Sequence, residues 1–309
     1  MLISLAKAYS KFRTRTTALF RKHRWIVPAA TIANAVLLVG LIMAHFGSSA
    51  TLVAGACLFI TAFVWGYSTR ALRIPPWPTL GHLQRRQYAE TWDTMASSSK
   101  TARIAVCGQA WERQVRDSAA EPVRNLIELT MIDKKDDVLE IASGIGRIGM
   151  ELAPRCHSWT GADISANMLA YASERLQGIR NVKFHQLHGD GLDGLADEVF
   201  DVVYCTNTLA HLDTFDRWRY VQEAFRVLRG GGRIFLDDID MTSDPGWTMF
   251  LNLTARYQKK NAELPPYMTW FSTPTELVTY ITRAGFVQVR SHDRPPLVIV
   301  TAVKPGPAS

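Results

Sequence analysis

Glu140 stands inside a short apolar run, Val138-Leu-Glu-Ile-Ala142, four residues before the first of three glycines, Gly144, Gly146 and Gly149. A strand running into a glycine turn that opens a helix places backbone N–H groups over the strand end, where they meet a ligand. The spelling Gly-x-Gly-x-x-Gly is that of a dinucleotide fingerprint, and by itself it is a weak signal. A carboxylate beside the first glycine points elsewhere, because it suits a ligand that brings hydroxyls or an ammonium group rather than a pyrophosphate. Other polar residues end apolar runs further on. They are Asp163, Asp190 in Gly189-Asp-Gly191, Asn207, and the acids Asp237, Asp238 and Asp240. His211 is a side chain suited to general-base work near neutral pH, and Asp238, Asp240 and Tyr257 are further candidates for taking a proton. Three acids after one strand invite Mg²⁺, yet the preceding strand ends in Cys205-Thr-Asn207 without an acid. His185 and His188 are three apart, which on a strand puts them on opposite faces. No metal is expected.

The elements that must carry these residues read as an α/β fold. From Asp136 onward, apolar runs alternate with helical patterns, the signature of a parallel sheet with helical crossovers. Strands are expected at 138–142, 158–163, 182–186, 200–206, 233–237, 287–291 and 297–303, with helices over 166–176 and 217–228 and one after the glycine turn that stops before Pro154. In open sheets of this kind ligands sit outside the C-terminal strand ends, where the polar residues above cluster.

The run Glu140-Ile-Ala-Ser-Gly-Ile-Gly146 resembles motif I of class I S-adenosylmethionine-dependent methyltransferases, an acidic residue followed by x-Gly-x-Gly-x-Gly, with Ala142 in place of the first glycine. The resemblance covers about residues 136–304. It implies a Rossmann-like, seven-stranded sheet with helices on both faces, the last two strands antiparallel, and S-adenosyl-L-methionine as cofactor. It also implies roles. Glu140, Ala142, Ser143, Gly144 and Gly146 form the turn against the cofactor, and Asp163 accepts from both ribose hydroxyls with Ile164 beside it. Met168 packs on the adenine, Asp190 with Gly191 receives the adenine amino group, and Asn207 lies near the methyl group. The triple glycine 230–232 resembles the family's turn before its fifth strand. Tyr88 and Trp92, on one face of a helical region over 83–135, would either touch ligand or pack on the core. Residues 241–275, rich in aromatics and Met, would cap the acceptor pocket and suit an apolar, flat or lipid-linked acceptor, with O-methylation favoured. The rival classes are an NAD(P)-dependent oxidoreductase and a catalytically inactive membrane scaffold on the same fold.

Charge locates a second region. Of 35 Lys and Arg, 11 lie in residues 1–89, which hold no acid, so the remaining 24 stand against 28 acids. A mildly acidic body does not suit nucleic acid as partner. The basic end flanks two uncharged apolar runs, Ile26 to Phe46 and Leu52 to Tyr67. A bilayer needs about 20 such residues per helix, so a transmembrane hairpin is expected, with helices over about 25–46 and 51–68. Residues 1–24 then form a basic cytoplasmic segment and 69–82, with Pro75-Pro-Trp-Pro78, a stiff linker. Lys and Arg on both flanks put both termini and the catalytic domain on the cytoplasmic side. Four scattered cysteines without a Cys-x-x-Cys pair fit reduced thiols.

Overall fold

The computed structural model describes residues 80–306, apart from 190, 260–266 and 268. The chain divides into two compact units, Met1–Leu80 and Gly81–Ser309. The basic segment, the expected transmembrane hairpin and most of the linker therefore lie outside the described residues. Among the described residues no helix is long and apolar enough to cross a membrane.

The second unit opens with four helices, α1 (Leu80–Met95), α2 (Ser99–Cys107), α3 (Glu112–Asp117) and α4 (Ala120–Thr130). Local signals divide the expected helical region, whose last helix, expected over 119–131, is α4. Ser98 caps α2 by accepting from the Thr101 N–H, and Gly108 ends that helix in the left-handed conformation at φ 70°. The rest alternates: β1 (Asp137–Ile141), α5 (Gly149–Leu152), β2 (Ser158–Asp163), α6 (Ala166–Arg175), β3 (Val182–Gln186), β4 (Phe200–Cys205), α7 (Thr214–Val227), β5 (Leu228–Ile239), α8 (Asp244–Tyr257), α9 (Pro274–Arg283), β6 (Val287–Arg294) and β7 (Leu297–Val303). The seven strands form one sheet in the order β3-β2-β1-β4-β5-β7-β6. The first five run parallel, and β7 is antiparallel to both β5 and β6.

Alternation along each central strand feeds two apolar layers. Leu139, Ile141, Val203 and Leu236 face α7 and α9, packing with Val221, Ala224, Leu277 and Ile281. Val138, Trp159, Val202, Tyr204 and Phe235 face the other way, against Leu126 of α4 and Ile148 and Leu152 around α5. Both faces are covered, so a charge within a strand is buried whichever way it points.

Three of the boundaries that differ from expectation do so for local reasons. Ala142 leaves β1 with φ 57°, so the strand ends at Ile141. Asp213 accepts from the N–H groups of Phe215 and Asp216 and starts α7 three residues before the expected Arg217. Gly230–Gly232 lie inside β5 rather than in a turn ahead of it, with Gly231 and Lys304, and Lys304 and Gly232, joined by backbone hydrogen bonds.

Candidate active site

A cavity of about 240 Å³ opens at the C-terminal ends of β1, β2 and β4. Glu140, Ala142, Ser143, Gly144, Asp163, Ile164, Met168, Asn207, His211 and Asp238 all line it. Tyr88 and Trp92 of α1 and Val106 of α2 form the facing wall. The remaining expected residues are placed otherwise. Gly191 and Gly146 are not among the lining residues. A Cβ on Gly146 would come 2.5 Å from the Leu176 side chain, so its close approach is to the end of α6. Asp190 lies outside the described residues, although Gly189 beside it reaches the cavity. Tyr257 closes α8 away from the lining.

The turn after β1 is made of left-handed backbone: Ala142 at φ 57°, Gly144 at 52° and Gly146 at 70°. A non-glycine residue held there costs roughly 1–2 kcal/mol, which the turn's hydrogen bonds must offset. Asp163 supplies one of them, accepting from the Gly144 N–H at 2.7 Å through one oxygen and from the Ser165 N–H at 2.9 Å through the other. Burial pushes its pKa up to about 6, and these backbone donors oppose the rise. Ser165 caps α6 and itself donates to Asp93 of α1 at 2.6 Å.

Glu140 sits in the layer of Trp159 and Tyr204. The Trp159 indole N–H donates to the Tyr204 hydroxyl at 3.0 Å, and that hydroxyl donates to Glu140 Oε2 at 2.6 Å. Burial raises Glu140 to about 8, against the pull of the Tyr204 hydroxyl and of Arg147. Asp237, raised by burial to about 7, accepts from the Asn207 N–H at 2.7 Å and so fixes the left-handed Asn207.

Arg147 and Ser143 complete the floor. Arg147 is buried on the cavity wall and donates to the Ser118 carbonyl at 2.6 Å, while its Nε and the Ser143 Oγ are buried without a hydrogen-bond partner. Orphaned polar atoms of this kind are rare in native interiors, and both belong to residues that line the cavity. They and the surrounding carboxylates fit a polar ligand with a cationic part, an acceptor-rich part and hydroxyls, as S-adenosylmethionine has. The role of Arg147 was missed, although an arginine within the otherwise apolar Ile145–Gly149 was the available signal.

Of the four candidates for proton transfer, Asp238 is committed elsewhere. Its Oδ2 accepts from the Ser272 hydroxyl and pairs with Arg217 Nη2 at 3.2 Å, both side chains fully buried. Burial raises Asp238 to about 6 despite Arg217, but protonating it breaks a buried pair, a loss of about 3–5 kcal/mol. His211 lies on the cavity wall, with Trp92 and Tyr267 against its ring. Among the described residues no group of three or more His, Cys, Asp or Glu is gathered closely enough to hold a metal ion.

Residues 138–232 match the family described as "Methyltransferase domain". The ubiquinone biosynthesis O-methyltransferase of Pseudomonas fluorescens is 28% identical over 193 residues, 59% of this chain and 79% of that one. An uncharacterized methyltransferase of Bacillus subtilis, YcgJ, is 32% identical over 117 residues, 37% of this chain and 45% of its own length. The chain spans only 4% of the chondramide synthase of Chondromyces crocatus that it also matches. Among solved structures, the DhpI–SAH complex superposes with a TM-score of 0.52 at 24% identity, covering 72% of this chain and 98% of that one. This chain thus carries a methyltransferase domain over residues 138–232, on the fold seen in the DhpI–SAH complex.

Proposed function

We propose that the whole chain moves a methyl group from S-adenosylmethionine to a small acceptor with an apolar body, a hydroxyl being the favoured target. The convergence of Glu140, Asp163, Asn207 and the left-handed turn 142–146 on one cavity supports this reading. The donor's sulfonium methyl is electrophilic as bound, so the protein's work is to align the acceptor and exclude water. In this reading Asp163 holds the ribose hydroxyls. Glu140 and Asn207 stand near the amino-acid end, and Ser143 Oγ with Arg147 Nε takes its carboxylate. Met168 and Ile164 pack on the base, with Gly189 beside them. His211 receives the acceptor's proton. Two relatives, a ubiquinone biosynthesis O-methyltransferase and a demethylmenaquinone methyltransferase of Listeria welshimeri, carry names that support a small-molecule acceptor. The uncharged runs 26–46 and 52–67 favour an enzyme anchored in the membrane and facing the cytoplasm, close to membrane-partitioned acceptors.

Calorimetry of the full-length chain with S-adenosylhomocysteine and with NADH is the direct test. The expected result is micromolar affinity for S-adenosylhomocysteine and none for NADH; binding of NADH alone overturns the assignment. Labelled methyl transfer into a membrane lipid extract, compared with the aqueous fraction, tests the anchored reading.

A further inference from the structure

We propose that the outer wall of the cavity, where Trp92, His211 and Tyr267 meet, is the acceptor site and takes a planar aromatic hydroxyl compound; this rests on the methyltransferase reading above. The three rings come from α1, from the turn after β4 and from the stretch before α9. Trp92 and Tyr267 lie nearly parallel, 15° apart with centroids at 5.4 Å. His211 stands edgewise to both, at 63° and 5.1 Å from Trp92 and at 77° and 4.8 Å from Tyr267. Trp92 and His211 line the cavity, as does Thr269 two residues after Tyr267. The Trp270 N–H donates to the Ala210 carbonyl at 2.7 Å, tying this stretch to the turn that carries His211. The rings are only partly buried: Trp92 packs on one side against the cluster of Ile145 and Met168, and Tyr267, outside the lining itself, backs Trp92 and His211.

A parallel face with a perpendicular ring beside it forms a corner that a flat ring satisfies twice, by offset stacking and by an edge contact, each within the 4.5–7 Å centroid range aromatic pairs prefer. A saturated body of the same size gains contact area there and nothing more. The base on the wall points the same way. It is the His211 imidazole, a weak base that matches a phenolic hydroxyl, which ionises near 10 as tyrosine does. An alkyl alcohol, far less acidic, gives up its proton to such a base less readily. In the step, a lone pair of the phenolic oxygen forms the O–CH₃ bond as the S–CH₃ bond breaks. The sulfur keeps that electron pair and leaves as a thioether, and the hydroxyl proton passes to the imidazole of His211.

The test uses the full-length chain loaded with S-adenosylhomocysteine and titrated calorimetrically with 2-naphthol and with its saturated analogue decahydro-2-naphthol. The expected result is binding of 2-naphthol at least tenfold tighter than the analogue. Tyr267→Leu should weaken 2-naphthol about tenfold while leaving the affinity for S-adenosylhomocysteine within twofold, Trp92→Leu should weaken 2-naphthol as much, and Tyr267→Phe should restore 2-naphthol binding. Equal binding of the two probes, no binding of 2-naphthol, or normal 2-naphthol binding by both leucine variants overturns the proposal and leaves the methyltransferase reading intact. Failure of the wild type to bind S-adenosylhomocysteine overturns both.

Discussion

The two edges of the sheet treat the same kind of side chain in opposite ways. At the N-terminal edge, acids meet arginines. Arg229 donates to Asp201 at 2.6 Å and to Asp137 at 3.0 Å, Ser158 donates to Asp137 at 2.6 Å, and Arg233 pairs with Asp136. Burial alone would raise Asp137, but the hydrogen bonds from Ser158 and Arg229 outweigh it and hold its pKa below the usual carboxylate value. At the C-terminal edge, Glu140, Asp163 and Asp237 are buried with mainly neutral donors, and their pKa values stand at about 8, 6 and 7. One edge neutralises its charge internally and is finished. The other, apart from Asp238 with its Arg217, keeps carboxylates short of positive charge, the arrangement expected where a cationic ligand completes the set.

The sharpest way to break this contrast is Asp163→Ala. It leaves the buried N–H groups of Gly144 and Ser165 without their acceptor, at about 1–3 kcal/mol each. Affinity for S-adenosylhomocysteine should fall at least about a hundredfold, or about 2.8 kcal/mol, with a lowered denaturation midpoint. Unchanged binding by calorimetry would remove Asp163 from the site.

The pH dependence of stability tests the edges together. The raised C-terminal-edge carboxylates titrate at about 6 to 8 when folded, against 3.8 for Asp and 4.5 for Glu when unfolded. The folded chain then binds more protons across that window, so its stability falls as pH rises through it. Asp137, lowered on folding, contributes stability that is present above 3.8 and lost as pH falls through its folded value. The melting temperature of the ligand-free chain should therefore decline from pH 5 to pH 8 and collapse in stronger acid. Glu140→Gln should flatten the decline between about pH 6.5 and 8. A melting temperature that rises from pH 5 to 8 contradicts the assignment of raised carboxylates.

The smallest effect belongs to the finished edge. Arg229→Ala uncouples Asp137 and Asp201, but Arg229 is 40% exposed, so about 1 kcal/mol is the expected loss, with affinity for S-adenosylhomocysteine unchanged. A large loss of affinity would show that the two edges are not independent.

Much of this was legible residue by residue. The runs 158–163, 182–186 and 297–303 become strands with those bounds, because their apolar content and flanking breaks leave little choice. Asp163 and Asn207, singled out by the family resemblance, both line the cavity. What depends on register was not legible. That Glu140 faces Tyr204 follows from pairing across β1 and β4, and no spacing within either strand reveals it. The Asp238–Ser272 contact spans 34 residues, and the Trp92–Tyr267 stack joins the first described helix to the stretch before α9. Gly146 belongs to the turn by sequence, yet its lack of a side chain serves packing against Leu176.

One indole has a double duty that follows from its place in the layer. Side chains built on Gly149 or Gly161 would run into the Trp159 ring at 2.4 Å, and that same ring orients the Tyr204 hydroxyl toward Glu140. A methyl group added at either glycine, though neither touches the acid, would tilt the indole and loosen the far end of that relay. Glu140's readiness to carry charge is thereby tied to two positions whose only visible contribution is the absence of a side chain.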